Sequence, residues 1–173
     1  APNTAGNSAS TSEDTAMTVL ASTLLANDSD IDGDTLSISG VSNAVNGAVA
    51  LDGNGDVVFT PVTDFNGAAT FDYTASDGNG GTATQTVTVD VTAVNDAPVV
   101  SSMAAVLAEG TSVTVTASDL LANATDVEGD SLSVSNVQVV GTDASVTVDG
   151  NGAWTITPVS GFTGSVSVTY DVN

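Results

Sequence analysis

Residues 27–34 read Asn-Asp-Ser-Asp-Ile-Asp-Gly-Asp and put four carboxylates, Asp28, Asp30, Asp32 and Asp34, into seven positions. Carboxylates about 4 Å apart repel by about 1 kcal/mol per pair in water, and by about 4 kcal/mol at an effective dielectric near 20. Several such pairs rival the roughly 5–15 kcal/mol that holds a domain together. Two arrangements relieve the strain: the side chains splay into solvent, or a divalent cation sits among them. Hard oxygen donors without nitrogen or sulfur favour Ca²⁺ over transition metals, and a crowded loop offers more ligands than the tight octahedron of Mg²⁺ takes. A second stretch, "DVEGD", keeps Asp126, Glu128 and Asp130 at matching positions. A solvated loop has no need of that repetition, so Ca²⁺ is the expected ligand. The stretch also opens like an EF-hand loop, but the twelfth position from Asp28 is Ser39 rather than Glu, so that motif is excluded.

The rest of the composition narrows the chemistry further. The 173 residues include 21 acidic and no basic side chains, for a formal charge of −21. Salt bridges within the chain are therefore excluded at this stage, and each carboxylate must meet water, N–H groups, a metal or another molecule. Nucleic acid and anionic membranes are not expected as partners of so negative a field. Without Cys there are no disulfides, and without His, Lys or Cys the triad, Schiff-base and zinc chemistries are closed. A carboxylate-pair glycosidase remains formally open, but sugar sites use aromatic walls, and one Trp, two Tyr and four Phe supply few. No enzyme is expected. No 18-residue apolar run suggests a membrane span. The start, "APNTAGNS", has neither a basic n-region nor an apolar h-region, so the chain reads as a mature product or an internal piece.

The elements that must position the acids come in two copies. "LLAN" at 24–27 recurs at 120–123, and "DIDGDTLSIS" at 30–39 recurs as "DVEGDSLSVS" at 126–135, both offset by 96. After one inserted residue the offset is 97: "DGNG" at 52–55 returns at 149–152, and Thr60-Pro61 at Thr157-Pro158. Domain 1 spans 1–96 and domain 2 spans 97–173, joined through "VNDAP" at 94–98. Apolar residues alternate with Thr and Ser, as in "TATQTVTVDV" at 82–91, which is the period of strands. The expected strands of domain 1 are 8–12, 15–20, 35–41, 45–51, 56–60, 68–76 and 82–94, and no stretch shows helical periodicity. Seven short strands imply an all-β, immunoglobulin-like Greek-key sandwich. "DGNG" signals a hairpin turn, and Trp154 just after its second copy is expected to anchor the core rather than to contact sugar. Asn27 and Asn123 head glycosylation sequons at equivalent positions, where turn and hydrogen-bond chemistry is expected.

Domain 2 repeats only the first six strands, because Asn173 aligns with Ser76. An open edge with half-covered Val166, Val168 and Tyr170 is expected there. The chain is then a piece of a longer array, or else another copy donates the missing strand, as in a self-assembling fibre. Placed on such a sandwich, the loop of Asp28–Asp34 and the loop holding Asp77 share the end where the chain enters. Glu13 and Asp64 lie at the opposite end, beside the exit. Glu13, Asp64 and Asp96 of the first copy are then expected to face Asp126, Glu128 and Asp130 of the second.

The segment "FDYTASDGNGGTATQTVTVDVTAVNDAP" at 71–98 resembles the end of a cadherin repeat: a strand closing in A-x-D, a glycine-rich turn, a long last strand and an acidic linker. The whole chain resembles the cadherin-like tandem repeats, of about this length, of giant bacterial RTX-type surface adhesins. The resemblance implies Ca²⁺ at domain junctions, an extracellular or cell-surface location, and a role as an extender or adhesive module. It makes Asp77 the A-x-D aspartate, Asn95 and Asp96 the linker ligands, and Glu13 and Glu109 the early-strand glutamates. Asp64 stands in "PVTDF", where cadherins carry an acidic "LDRE"-type segment. Expected partners are neighbouring repeats of the same or another copy. A glycan-binding module meeting surface sugars or other cells is the competing reading.

Overall fold

The computed structural model describes residues 1–100 and 104–173. The chain divides into two compact units, Ala1–Val94 and Asn95–Asn173. Each is taken by itself.

Unit 1 holds nine strands: β1 (Pro2–Asn3), β2 (Asn7–Ser12), β3 (Met17–Val19), β4 (Ser29–Asp30), β5 (Ser37–Val45), β6 (Gly47–Leu51), β7 (Val57–Pro61), β8 (Gly67–Ser76) and β9 (Thr82–Thr92). One sheet runs β2-β9-β8-β5, a second runs β3-β7-β6, and β1 and β4 form a small ribbon. β8 and β9 pair antiparallel over ten residues, from Gly67–Val91 to Ser76–Thr82. β2 lies parallel to β9, from Asn7–Val87 to Ser12–Thr92. The period-two pattern explains the core, since alternate residues of a strand face the same side. Phe71, Tyr73 and Ala75 of β8 and Val87, Val89 and Val91 of β9 point inward and are buried, together with Val57 and Phe59 of β7. Phe59 and Phe71 stack with centroids 5.8 Å apart. Gly47 faces this stack so closely that a Cβ there would run into the Phe59 ring and come within 2.7 Å of the Thr60 carbonyl.

The chain departs from the expected strands in two places. β5 runs on past position 41 to Val45, with register breaks between Ile38 and Gly40 and between Ser42 and Val45. Asn43 and Asn46 adopt positive φ (51° and 58°), so the turn residues sit inside a bulged strand and at its end. Each unit also has a one-turn helix, α1 (Ala21–Leu24) and α2 (Ala117–Leu120). One turn is too short to show a helical period. What holds these turns is local: Asp56 Oδ1 accepts from the Ala21 N–H (2.8 Å), and Thr116 and Asp119 cap each other reciprocally.

Unit 2 contains β10 (Ala104–Leu107), β11 (Val113–Val115), β12 (Val134–Val139), β13 (Ala144–Val148), β14 (Trp154–Pro158) and β15 (Gly164–Val172). Its sheets run β10-β15-β12 and β11-β14-β13. Leu107, Val115, Leu120, Val137, Ile156 and Val166 form its core, with Trp154 packed against them. The edge expected to lie open is partly closed. β10 pairs antiparallel with the first residues of β15, and Val166 is 3% exposed, whereas Val168 and Tyr170 stay half-buried.

Candidate metal centres

At the entry end of unit 1, Asp30, Asp32 and Asp34 each offer a carboxylate oxygen within 4.8 Å of the others. The loop is tightened by its own backbone: the Asp32 N–H donates to Asp30 Oδ1 (2.8 Å), and Gly33 turns with φ 79°. The Asp32 N–H, followed by the nearby chain-terminal ammonium, holds the Asp30 carboxyl below the usual carboxylate range. That ammonium, of Ala1, lies 3.2 Å from Asp30 Oδ2 and 3.8 Å from Asp77 Oδ2. The expectation of no salt bridge within the chain is thus corrected. It counted side chains only, and the backbone amine is the cation that settles among these carboxylates. Asp30 in turn raises the affinity of that amine for its proton.

Asp77 belongs to the same end. It is 8% exposed, and its Oδ1 accepts from the Asn79 and Gly81 N–H groups (2.8 Å each). Oδ2 is left turned toward the Asp30 side. Gly81 is required here because a Cβ would collide with that oxygen.

Asp28 has a different job. Its Oδ1 accepts from the Ala5 N–H (2.9 Å) and its Oδ2 from the Tyr73 hydroxyl (2.7 Å), while Asn7 Nδ2 donates to the same hydroxyl (3.1 Å). Burial, reinforced by the Asp28 carboxylate, keeps the Tyr73 phenol protonated far into the alkaline range. In unit 2, Tyr170 instead donates to the Leu120 carbonyl, and the place of Asp28 is taken by Ala124. Asp28 locks the loop to the sheet.

At the exit end of unit 1, Glu13 is 2% exposed. Its Oε1 accepts from the Val94 N–H (2.6 Å), but its Oε2 is buried without a hydrogen-bond partner among the described residues. The Asp64 N–H donates to Asp14 Oδ1 (3.2 Å) at this end, and both residues adopt positive φ near 57°. Nothing in the sequence reading singled out Asp14. The only available signal was its place beside Glu13.

In unit 2, Glu128 Oε2 accepts from the Asp96 N–H (3.2 Å), while its Oε1 is buried without a partner among the described residues. Asp126 Oδ1 accepts from the Asp130 N–H (3.0 Å), and Asn95 Nδ2 donates to the Asp96 carbonyl (2.8 Å). Glu109, the counterpart of Glu13, is exposed.

These donor sets fit Ca²⁺. At Ca–O distances of 2.3–2.6 Å, oxygens across the ion stand about 5 Å apart, which the spacing of Asp30, Asp32 and Asp34 meets. An orphaned buried carboxylate oxygen costs about 1–3 kcal/mol, and more when charged, unless something positive reaches it. Residues that would hold the ion are Glu13 in one place, Asp30, Asp32, Asp34 and Asp77 in a second, and Glu128 in a third.

The comparisons with known proteins agree with this architecture. A search of curated proteins finds no match. Among solved structures, similarity extends to protocadherin gamma B7 in a cis-dimer (16% identity, 96% of this chain, 45% of that one, TM-score 0.39). It extends also to protocadherin gamma B2, extracellular cadherin domains 3–6 (10%, 99%, 46%, TM-score 0.40). An endo-fucoidan hydrolase of glycoside hydrolase family 107 is matched as well (13%, 98%, 28%, TM-score 0.39). The chain spans less than half the length of each. The profile of the cadherin-like domain matches residues 1–92 and again 94–173. With every residue but Ala93 covered by those two matches, the chain belongs to the cadherin-like domain family, as two tandem copies.

Proposed function

We propose that this chain is a calcium-stabilised extender module of a large bacterial extracellular adhesin or surface filament, in which Ca²⁺ held by end carboxylates stiffens successive repeats. The observation that carries the reading is Glu13: a buried carboxylate with an unpartnered oxygen, in a chain with no basic side chain to answer it. Glu128 supports it from the second unit, and the Asp30 group shows that a positive charge is accepted among the entry-end acids. Asp64, Asn95, Asp96, Asp126 and Asp130 complete the proposed ligand set at repeat boundaries. In this role the chain works outside the cell, beside neighbouring repeats, and carries out no reaction. No helix among the described residues is long and apolar enough to cross a membrane. The glycan-binding alternative draws no support from the aromatic residues. All seven side chains pack in or against a core cluster: Phe59, Phe65, Phe71 and Tyr73 in unit 1, and Trp154, Phe162 and Tyr170 in unit 2.

The test is calcium removal. Extracellular calcium modules bind with Kd of about 0.1–1 mM, so 10 mM Ca²⁺ at the tighter end gives about 2.7 kcal/mol per site. That is roughly a 10–20 °C rise in melting temperature for a domain of this size. EDTA is expected to reverse it and to shorten the maximum dimension in small-angle scattering. Identical melting and scattering with and without Ca²⁺ would sink the proposal.

A further inference from the structure

Unit 2 closes the edge of its larger sheet differently from unit 1. In unit 1, all ten residues of β8 pair with β9, and β2 lies parallel beyond β9. In unit 2 the counterpart of β8 is β15, yet the strand against it is β10, the counterpart of β2, running antiparallel from Leu107–Gly164 to Ala104–Ser167. With Gly164 set on Gly67, Leu107 takes the register position of Val91, and Ala105 that of Val89. The first strand thus occupies the slot of a last strand, and fills only four residues of it. From Val168 onward β15 is paired with β12 alone among the described residues. Burial follows the same boundary. Val166, alongside β10, is 3% exposed, whereas Val168 and Tyr170 beyond it are half-buried, although their counterparts Phe71 and Tyr73 are at 0%. Glu109 is exposed because the last-strand residues that hold Glu13, through the Thr92 carbonyl and the Val94 N–H, have no equivalent beside it.

We propose that β10 is a placeholder, and that the edge of β15 is a docking site for an extended segment of the β9 type supplied by another polypeptide. Unit 1 defines the occupant. It runs antiparallel to β15, with Val at alternate positions buried as Val87, Val89 and Val91 are (0%, 0% and 2% exposed), and with Thr between them. A full ladder replaces one of four residues, and main-chain pairing supplies the affinity while the alternating Val set fixes the register. On docking, β10 leaves β15 and pairs parallel with the newcomer, as β2 does with β9, carrying Glu109 inward.

The probe is a synthetic peptide with the sequence of Gly81–Val94, titrated into the whole chain in EDTA so that the outcome does not depend on calcium. Trp154 is the sole Trp and packs against the core of unit 2, so its fluorescence reports that unit. Saturable one-to-one binding by calorimetry, with a higher Trp154 melting temperature, is expected. A peptide with Ser at the three Val positions is expected to bind at least tenfold more weakly. The paired variant Val106→Cys and Ser165→Cys, on opposed residues in a chain without Cys, locks β10 in place when oxidised. It is expected to refuse the peptide until reduced. No binding to the unlocked chain, equal binding to the locked one, or failure of the two cysteines to join under oxidation would each overturn the proposal.

Discussion

Glu13 has two carboxylate oxygens and one protein donor. That imbalance makes a prediction whose sign differs with and without metal. Glu13→Gln keeps an oxygen for the Val94 N–H but removes the buried charge, so the metal-free protein should gain stability by about 1–3 kcal/mol. The same variant should lose much of the calcium-dependent rise in melting temperature. Scanning calorimetry in EDTA and in Ca²⁺ reads both. A second prediction concerns the turns. Asp52 accepts from the Asn54 and Asp56 N–H groups, and Asp149 from Ala153 and Asn151, which hold both carboxyls below the usual range. A folded pKa below the unfolded value of about 3.9 gives stability that is present above that pH and lost as pH falls through the folded value. The urea midpoints of the natural chain and of Asp52→Asn should therefore differ at pH 7 and converge near pH 2. At this scale the sequence is only half legible. Four acids at alternate positions look alike, and the hydroxyl that claims Asp28 comes from Tyr73, 45 residues away.

Among the elements, β8 bears the most on the core of unit 1. Phe71 is wholly buried and stacked on Phe59, so Phe71→Ala should cost about 3–5 kcal/mol. Set against a domain stability of roughly 5–15 kcal/mol, that lowers the first unit's transition, while the Trp154 signal from unit 2 should not move. The strands were readable because Val and Thr alternate visibly, and "DGNG" marked its turns through Gly55 and Gly152 at positive φ. The one-turn helices were not, since their stop and start signals are distant side chains such as Asp56 or short caps such as Thr116. The place of β10 was unreadable for a different reason. Residues 8–11 and 104–107 belong to equivalent strands, and which edge each joins depends on what else competes for the sheet.

For the whole molecule, repetition at offsets of 96 and 97 was the strongest signal in the chain, and the two family matches follow it. The surface chemistry was equally plain: a formal charge of −21 with no basic side chain, an excess that water, N–H groups or metal must answer. Calcium removal is the measurement that belongs here, because it acts on all the proposed sites together. One feature of unit 1 reaches further. β2 and β9 run side by side in the same direction, with six registered residues between them, so the chain enters at one end of the sandwich and leaves at the other. A pull on both ends therefore loads that ladder lengthwise, and its bonds must break together rather than unzip one by one. A repeat wired in this way resists tension along the path that an anchored tether would impose, before any ion adds to its strength.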